Sequence, residues 1–373
     1  MKITRVETFP VRVDMARPRG PSILSYRQRQ SLFLKVSTDA GLVGWGETYL
    51  VAGATETVQK VLAPILVGRD PLDVRRLWRE MSAATFNNGF VLGGIDIALH
   101  DLWGKALGVP IHQLYGGAQR TRLPVYASLP GYEDHVGPEE HWEQEAVALV
   151  EGGFRAMKLR IGRFAPAREL PVIARVREAL PADVRLLCDA NAAYTLPTAV
   201  RVGRALYDIG LDWFEEPLSQ VGYHGYPALR AKLDIALAGG EGLQTRASYA
   251  ELLGRGAVDI VQPDVSICGG IAECLFVADL ARLSAVQTIP HCWGGAVMLA
   301  ATAHVVAVLP SPSRLEGFED PMVELDVTEN PFRTDLIAGS SFEVHDGTIA
   351  LPTGPGLGVE PDEALLRRYA IDG

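Results

Sequence analysis

The chain has 373 residues, of which 48% are hydrophobic and 21% are charged, so wholesale disorder is excluded and about two compact units are expected. The formal net charge is −10 and no basic tract is present, which excludes nucleic acids and anionic membranes as partners. Residues 1–13 lack the apolar core of a signal peptide. The cysteines lie in or beside apolar runs without paired zinc spacing, so we expect buried thiols in a cytoplasmic protein.

Residues 1–118 predict an N-terminal α+β domain. Runs 3–13, 31–37 and 43–47 have the pattern of strands, with a turn at 38–41, and they suggest an antiparallel meander. Helical patterns follow at 56–66, 72–84 and 94–107, the last one ending at Gly108 with Pro110 beyond it.

Residues 119–328 predict an α/β barrel, because strand-like runs alternate with helices. Runs 125–129 and 156–160 are the first two expected strands, and 322–325 is the last. Five further runs each end in a charged or titratable residue, and these ends recur every 23 to 27 residues, close to one strand-plus-helix unit of a (β/α)8 barrel. The strand ends of such a barrel converge on one face, where catalytic groups lie.

The segment 329–373 follows the barrel. Runs 342–344 and 348–351 predict a hairpin, and 355–358 predicts a loop. We expect this C-terminal segment to return to the N-terminal domain.

Three successive predicted strands end in Asp189, Glu215 and Glu241. Clustered anions repel one another unless a cation lies between them. Oxygen-only ligands suit a hard ion such as Mg²⁺. The alternative is that each carboxylate caps the following helix or pairs with a lysine, and the regular spacing favours the metal.

The next two strand ends carry Asp264 and His291. An Asp one strand before a His can accept the imidazole N–H, fix its tautomer and raise its basicity; the alternative is a histidine satisfied within the core. Lys158 and Arg160 are two residues apart on one strand, so both point into the barrel mouth. Buried cations need carboxylate partners, either in a ligand or in a structural ion-pair network.

Nine short segments then occur in a specific order: GWGE (44–47), GIDIALHDL (94–102), KLR (158–160), DAN (189–191), WFEEP (213–217), GGE (239–241), QPD (262–264), PH (290–291) and PGLG (355–358). In order and spacing they resemble the enolase superfamily, in the mandelate racemase / muconate lactonizing enzyme family, over nearly the whole chain. The resemblance implies a modified (β/α)8 TIM-type barrel with an α+β capping domain.

The resemblance also implies roles. Asp189, Glu215 and Glu241 correspond to the family's Mg²⁺ ligands, and the pair of Asp264 and His291 corresponds to its general acid/base. The family pattern on the second strand is commonly Lys-x-Lys, with the second Lys as the base on the opposite face. Here that position is Arg160, which stays protonated. Lys158 can therefore either hold the substrate carboxylate or take over proton transfer.

Two further positions follow from the resemblance. Asn191 corresponds to a residue that contacts a substrate hydroxyl, although an Asn in a βα turn is also a common helix cap. Glu324 and Glu316 compete as the terminal acid, and Glu324 fits better because Glu316 lies in a Pro- and Ser-rich loop. A protonated acid at Glu324 would donate a hydrogen bond to the enediolate opposite the metal.

The family's specificity comes largely from a mobile loop of the capping domain, which we place at about residues 14–30. This segment contains Tyr26 and four arginines, which are Arg17, Arg19, Arg27 and Arg29. We expect Arg17, Arg19 and Tyr26 to bind substrate, because arginines in an acidic protein can recognise a second, distal carboxylate. The alternative is a solvated loop.

The predicted function is therefore Mg²⁺-dependent removal of the proton α to a carboxylate of an acid sugar, an aldarate or its lactone, followed by β-elimination. Segment 324–333 is also similar to sugar-lactone cycloisomerases of this branch. One alternative is a racemase or epimerase of a 2-hydroxy acid, which Arg160 disfavours. The other is a non-catalytic, metal-dependent sugar-acid binding protein. We expect a homo-oligomer.

Overall fold

The computed structural model describes residues 1–128, 131–221, 223–312, 319–337 and 342–371. Its strands are β1 Ile3–Gly20, β2 Tyr26–Thr38, β3 Val43–Thr48, β4 Arg122–Ser128, β5 Tyr132–Glu133, β6 Ala156–Arg160, β7 Arg185–Asp189, β8 Trp213–Glu215, β9 Ala236–Gly239, β10 Ile260–Val261, β11 Gln287–Thr288, β12 Val323–Asp326 and β13 Thr348–Ala350.

The α-helices are α1 Ala54–Thr57, α2 Ala63–Leu66, α3 Val74–Ala84, α4 Gly89–Leu107, α5 Ile111–Leu114, α6 Pro138–Glu151, α7 Pro166–Ala179, α8 Leu196–Ile209, α9 Tyr226–Arg230, α10 Arg246–Gly254, α11 Ile271–Leu283, α12 Ala296–Val308, α13 Pro331–Thr334 and α14 Glu363–Arg368. A π-helical turn, Val58–Leu62, joins α1 to α2 just before Pro64, which has no N–H to donate. Within these described ranges, no helix is long and apolar enough to cross a membrane.

The capping domain is built on an antiparallel sheet with the strand order β3-β2-β1-β5. Helix α4 packs closely against β3, where a Cβ on Gly46 would lie 1.9 Å from the carbonyl oxygen of Gly94. Glycine at position 46 is therefore required by the approach of two backbones. The predicted strands and helices of this domain are present.

The predicted loop at 14–30 is wrong for most of its length. Strand β1 continues to Gly20 and β2 begins at Tyr26, with Asp14 opposite Gln28 and Arg19 opposite Tyr26. The hydrogen bonds between β1 and β2 satisfy the backbone N–H and C=O groups of this polar hairpin. Strand β5 pairs with the end of β1 through Arg19. Only residues 21–25 form the connecting turn.

The predicted barrel is confirmed. Its eight parallel strands follow the order β11-β10-β9-β8-β7-β6-β4-β12. Register aligns Arg160 with Asp189 and Asp189 with Glu215, so these side chains share one edge of the sheet. Several strands are shorter than predicted, because β9, β10 and β11 end before Glu241, Asp264 and His291, which stand in the turns beyond them. All four cysteines are free and buried, as expected.

The turn of the predicted C-terminal hairpin is present, because His345 and Thr348 pair across residues 346–347, but residues 342–344 do not form its first strand. Strand β13 pairs antiparallel with β4 of the barrel through Ile349 and Leu123, so it extends the barrel sheet and does not pack on the capping domain. The loop and helix beyond it do contact that domain. The backbone N–H of Leu357 donates to Asp101 Oδ1 at 2.9 Å, and Lys35 Nζ lies 2.5 Å from Glu363 Oε2.

Glu47 joins the capping domain to the barrel. This side chain on β3 is fully buried and accepts hydrogen bonds from Ser31 Oγ at 2.8 Å, Gly295 N at 2.6 Å and Met298 N at 2.9 Å, at the start of α12. Burial raises the pKa of Glu47 to about 7, although these hydrogen bonds lower it. The folded chain therefore binds this proton more tightly than the unfolded chain does.

This linkage predicts the pH dependence of stability. Protonated Glu47 stabilises the fold fully below a pH of about 4.5, and this stabilisation is lost as the pH rises through about 7. The free energy of unfolding falls by at most about 3 kcal/mol over that range. Denaturant unfolding between pH 4.5 and 8 should show a smaller loss of stability in Glu47→Gln than in the wild type. Glu56→Gln, at an exposed position, is the control. Parallel curves for the wild type and Glu47→Gln would contradict the assignment.

Candidate active site

A cavity of about 380 Å³ lies where the capping hairpin meets the carboxyl ends of the barrel strands. Tyr26, Arg29 and Tyr49 line it from the capping domain, and the barrel contributes a further set that includes Arg160, Asn191, Glu241, His291 and Trp293. A larger depression of about 480 Å³ lies beside Arg230 and Asp259. Among the residues that the structure describes, this depression holds a partly exposed ion pair and no cluster of three acids, so the first cavity is the candidate site.

The three carboxylates predicted as metal ligands come together. Asp189, Glu215 and Glu241 each offer one oxygen, and these three oxygens lie within 4.8 Å of one another. Oxygen Oε2 of Glu241 is buried and has no hydrogen-bond partner among the described residues. Burial raises the pKa of Glu215 to about 8, and Asp189 adds to the rise although Lys158 opposes it. The set has the donor chemistry of a hard divalent cation.

Lys158 and Arg160 reach this cluster from β6. Lys158 Nζ is fully buried and lies 2.8 Å from Glu215 Oε1 and 2.9 Å from Glu324 Oε1. Arg160 Nη1 donates to Asp189, and Nη2 donates to Ser128 Oγ at 3.2 Å. The predicted ion-pair alternative is thus present together with the acidic cluster.

The charges of the fully ionised cluster do not balance without a further cation. Burial lowers the pKa of Lys158, but Glu215 and Glu324 outweigh it and raise the pKa, so this amine is protonated. Arg160 is also charged. When Glu215 and Glu241, whose pKa values are raised here, are ionised as metal ligands must be, two cations face the four carboxylates of Asp189, Glu215, Glu241 and Glu324. Asp264 and a protonated His291 count as neutral together in this sum. The residual charge matches a divalent ion.

His291 and Asp264 form the predicted dyad. His291 Nδ1 lies 2.7 Å from Asp264 Oδ2, and Nε2 lies 3.5 Å from Glu241 Oε2. Asp264 is fixed further by Ser266 Oγ at 2.6 Å and by Tyr49 of the capping domain, whose hydroxyl donates at 3.1 Å. Burial lowers the pKa of His291, but the carboxylates, above all Glu241, raise it to about 10. The imidazole therefore presents Nε2 toward the acidic cluster.

Glu324 differs from the expected protonated acid. Burial raises its pKa, but Lys158, His291 and Arg160 outweigh that effect and hold the pKa well below its usual range. Its Oε2 accepts hydrogen bonds from Tyr126 OH at 3.0 Å and from the backbone N–H of Cys292 at 3.3 Å. Glu324 is therefore an ionised acceptor in this site. The competing residue, Glu316, lies outside the described residues.

Asn191 lines the cavity. Its φ of 44° is in the left-handed region, which Asn tolerates better than most residues. Its backbone N–H donates to Asp189 Oδ1 at 2.8 Å, and its Oδ1 lies 3.4 Å from Arg160 Nη1. The N-cap position of helix α8 is Thr195, four residues beyond Asn191, so the helix-cap alternative is excluded.

The predicted substrate-binding residues of the β1–β2 hairpin lie in different environments. Tyr26 and Arg19 line the cavity, but Arg19 is engaged by Glu133 at 2.8 Å and Glu145 at 2.5 Å. Arg17 is exposed and does not line the cavity, so the structure gives no support for its predicted contact with substrate.

Sequence reasoning missed three aromatic residues of the cavity. Tyr49 lies just after β3, Trp293 lies two residues after His291, and Phe90 is the second residue of α4. The position of Trp293 after a strand-end histidine was the only available hint. The other two enter the site only through the docking of the capping domain.

Comparison with known proteins agrees with this geometry. Residues 3–116 match the family model described as "Mandelate racemase / muconate lactonizing enzyme, N-terminal domain", and residues 141–365 match "Enolase C-terminal domain-like". The chain belongs to the mandelate racemase / muconate lactonizing enzyme family of the enolase superfamily. The resemblance stated from the sequence motifs is confirmed.

Three relatives illustrate the activities in this family. The chain is 36% identical to D-galactarolactone cycloisomerase of Agrobacterium fabrum, covering 100% of this chain and 99% of the relative. It is 32% identical to arabinonate dehydratase of Saccharolobus solfataricus, covering 90% and 89%. A racemase from Streptomyces coelicolor A3(2), solved with bound magnesium, superimposes with a TM-score of 0.89 at 27% identity, covering 99% and 100%. The chain is an enzyme of this superfamily, and the relatives named here are a lactone cycloisomerase, a sugar-acid dehydratase and a racemase.

Proposed function

We propose that this enzyme removes the proton α to the carboxylate of an acid sugar in a Mg²⁺-dependent reaction and then eliminates the oxygen on the β-carbon. The observation that carries the proposal is the arrangement of the cavity. A cluster of acids with excess negative charge faces the Nε2 atom of a histidine that is fixed by a buried aspartate. A proton α to a carboxylate is only weakly acidic, so its removal needs a base and stabilisation of the developing charge.

The metal is proposed to be held by Asp189, Glu215 and Glu241. Their oxygens are close together, and the unpartnered Oε2 of Glu241 is the kind of atom that a ligating ion would satisfy. A bound Mg²⁺ would supply positive charge next to the substrate carboxylate, where negative charge accumulates as the proton leaves.

Side chains of the protein provide proton transfer and further stabilisation of the negative charge. His291 accepts the α-proton at Nε2 in its neutral state, and Asp264 stabilises the resulting imidazolium. A cation held by Glu241 and its neighbours would favour the neutral state, because it would offset the carboxylates that raise the pKa of His291. Lys158 is protonated, which favours its first alternative role: it holds a substrate carboxylate oxygen and stabilises the dianionic enediolate. Ionised Glu324 keeps Lys158 and His291 in place.

Elimination follows from the fate of the electron pair. The electrons of the broken C–H bond form the C=C bond of the enediolate, and its collapse expels the β-oxygen. The imidazolium of His291 then protonates the leaving oxygen. If that oxygen is a hydroxyl the product is dehydrated, and if it belongs to a ring the ring opens. Relatives with both outcomes are known by name, a dehydratase and a lactone cycloisomerase.

The racemase alternative needs a base on each face of the α-carbon. On the face opposite His291 the chain has Arg160, which is bound to Asp189, and Lys158, whose pKa is raised. Neither cation can accept a proton in this state. One-sided proton transfer therefore supports elimination over racemisation.

The metal assignment predicts that EDTA abolishes turnover and that Mg²⁺ restores it. Mg²⁺ should also raise the melting temperature of the apoprotein, because it binds the native state alone. Glu241→Gln should lose both effects, whereas Glu251→Gln, an exposed glutamate on α10, should keep them. Full turnover by metal-free protein would show that the cluster has another purpose.

The dyad assignment predicts that His291→Asn lowers kcat by about 10²- to 10⁴-fold with little change in KM. Asn keeps the approximate size of the ring and can still bond to Asp264, but it cannot carry the proton. Solvent-deuterium incorporation at the α-carbon is the measurement. His345→Asn, at an exposed position, is the control. Normal α-proton exchange in His291→Asn would move the base to another residue.

A further inference from the structure

One arginine of the cavity, which is paired with Asp326 and not with the acidic cluster, has an unusual environment. Arg29 comes from β2, and its side chain is 4% exposed. Its guanidinium lies 3.9 Å from the ring centre of Trp293, which in turn packs on Tyr26 with the ring centres 4.7 Å apart. This cluster, formed by Arg29, Trp293 and Tyr26, contributes three of the cavity's lining residues.

The guanidinium nitrogens of Arg29 differ in their hydrogen bonding. Nη2 donates to Asp326 and to Thr328, at the end of β12 and just beyond it. Nε is buried and has no partner among the residues that the structure describes. Asp326 is itself fixed, because its Oδ1 accepts hydrogen bonds from Thr328 N at 3.0 Å and Thr328 Oγ1 at 2.6 Å.

This distribution limits what Arg29 can bind. A carboxylate is recognised by two parallel N–H groups, and a guanidinium offers such a pair either at Nη1 and Nη2 or at Nε and Nη2. Both pairs include Nη2, whose two N–H groups are already used. Nε itself is buried and closed to a ligand, whereas Nη1 is neither buried nor hydrogen-bonded to any described residue. Arg29 can therefore give a ligand single hydrogen bonds from Nη1, unless Asp326 or Thr328 is displaced.

Electrostatic repulsion also disfavours the binding of a ligand carboxylate at Arg29. A ligand carboxylate that approaches Arg29 would also approach Asp326, a like charge in a poorly solvated place. Arg333 also lies near Asp326, but it does not line the cavity. Arg19, the other arginine of the hairpin in the cavity, already has two glutamates.

We propose that Arg29 recognises an uncharged oxygen at the distal end of the substrate, so that the substrate is a monoanion. The chemical class is an acid sugar whose second end is a lactone carbonyl, a ring oxygen or a hydroxyl, and not an open-chain diacid. This inference rests on the proposed function, and it replaces the expected recognition of a distal carboxylate by the hairpin arginines. Trp293 and Tyr26 supply the surface against which a sugar ring packs.

The test compares an aldaric acid monolactone with its open-chain aldarate, across the stereoisomeric hexaric acids. The two compounds share the carbon skeleton and the reacting α-carbon, and they differ in the charge at the distal end. They also differ in the β-oxygen, which is a ring oxygen in the lactone and a hydroxyl in the aldarate, so the comparison of binding, which involves no leaving group, tests the charge. The Mg²⁺-loaded wild type should prefer the best lactone over its aldarate by at least about tenfold in kcat/KM, equivalent to about 1.4 kcal/mol. Calorimetric titration of both compounds gives the same comparison for binding, whether or not turnover occurs.

Two variants then assign the preference. Arg29→Gln should raise KM for the lactone by about tenfold and leave kcat within about threefold, because the contact is remote from the reacting carbon. Asp326→Asn should raise kcat/KM for the aldarate by about tenfold, because it removes the opposing charge and frees Nη2 for a bidentate contact. Arg12→Gln, at an exposed position on β1, is the control. Circular dichroism and the melting temperature check that each variant is folded.

The outcomes are distinguishable. A wild-type preference for the aldarate, or a lactone preference that Arg29→Gln leaves intact, overturns the inference. Absence of both turnover and α-proton exchange with every acid sugar refutes the proposed function. In that case, tighter binding of the lactone that is lost in Arg29→Gln still supports the assignment of Arg29, and equal binding of both compounds overturns it.

Discussion

The mutual repulsion of four carboxylates at the end of one parallel sheet is the constraint on which this site depends. Register places Asp189 beside Glu215, and Glu324 and Glu241 approach from other strands and turns. Such a group is stable in a poorly solvated place only with cations among its members. Lys158 supplies part of that charge, and its high pKa is a consequence of the same carboxylates. A residue that would be a base elsewhere is thereby kept as a cation.

The capping domain completes the site with groups that the barrel lacks. Tyr49 donates to the Asp264 oxygen that also faces His291, and Glu47 accepts hydrogen bonds from the start of α12, four residues beyond His291. The orientation of the histidine therefore depends on how the two domains dock. Buried polar groups across such an interface are costly if they lose their partners, so docking and catalytic geometry are coupled.

The sequence predicted the parts of the structure that are periodic. The spacing of strand ends located the barrel and brought Asp189, Glu215 and Glu241 together, because one strand-plus-helix unit has a nearly fixed length. The sequence pattern did not predict the outer part of the β1–β2 hairpin, because its prolines and arginines are also typical of a solvated loop. Its strand structure depends on pairing between β1, β2 and β5. Contacts such as Arg29 with Asp326 join residues 297 apart in sequence, and no local pattern reveals them.

The difference between periodic positions and contacts distant in sequence also explains why the reaction type is easier to infer than the substrate. Proton removal needs groups at strand ends, whose positions are fixed by the barrel's repeat. Substrate selection depends on where the capping hairpin places each arginine and on which acid faces it. Four arginines close together in sequence suggested a site for a second anion, yet Arg19 and Arg29 each meet carboxylates of the protein in the folded chain. A positive charge already paired within the protein attracts a ligand anion weakly, so the count of arginines alone overstates the affinity for a diacid.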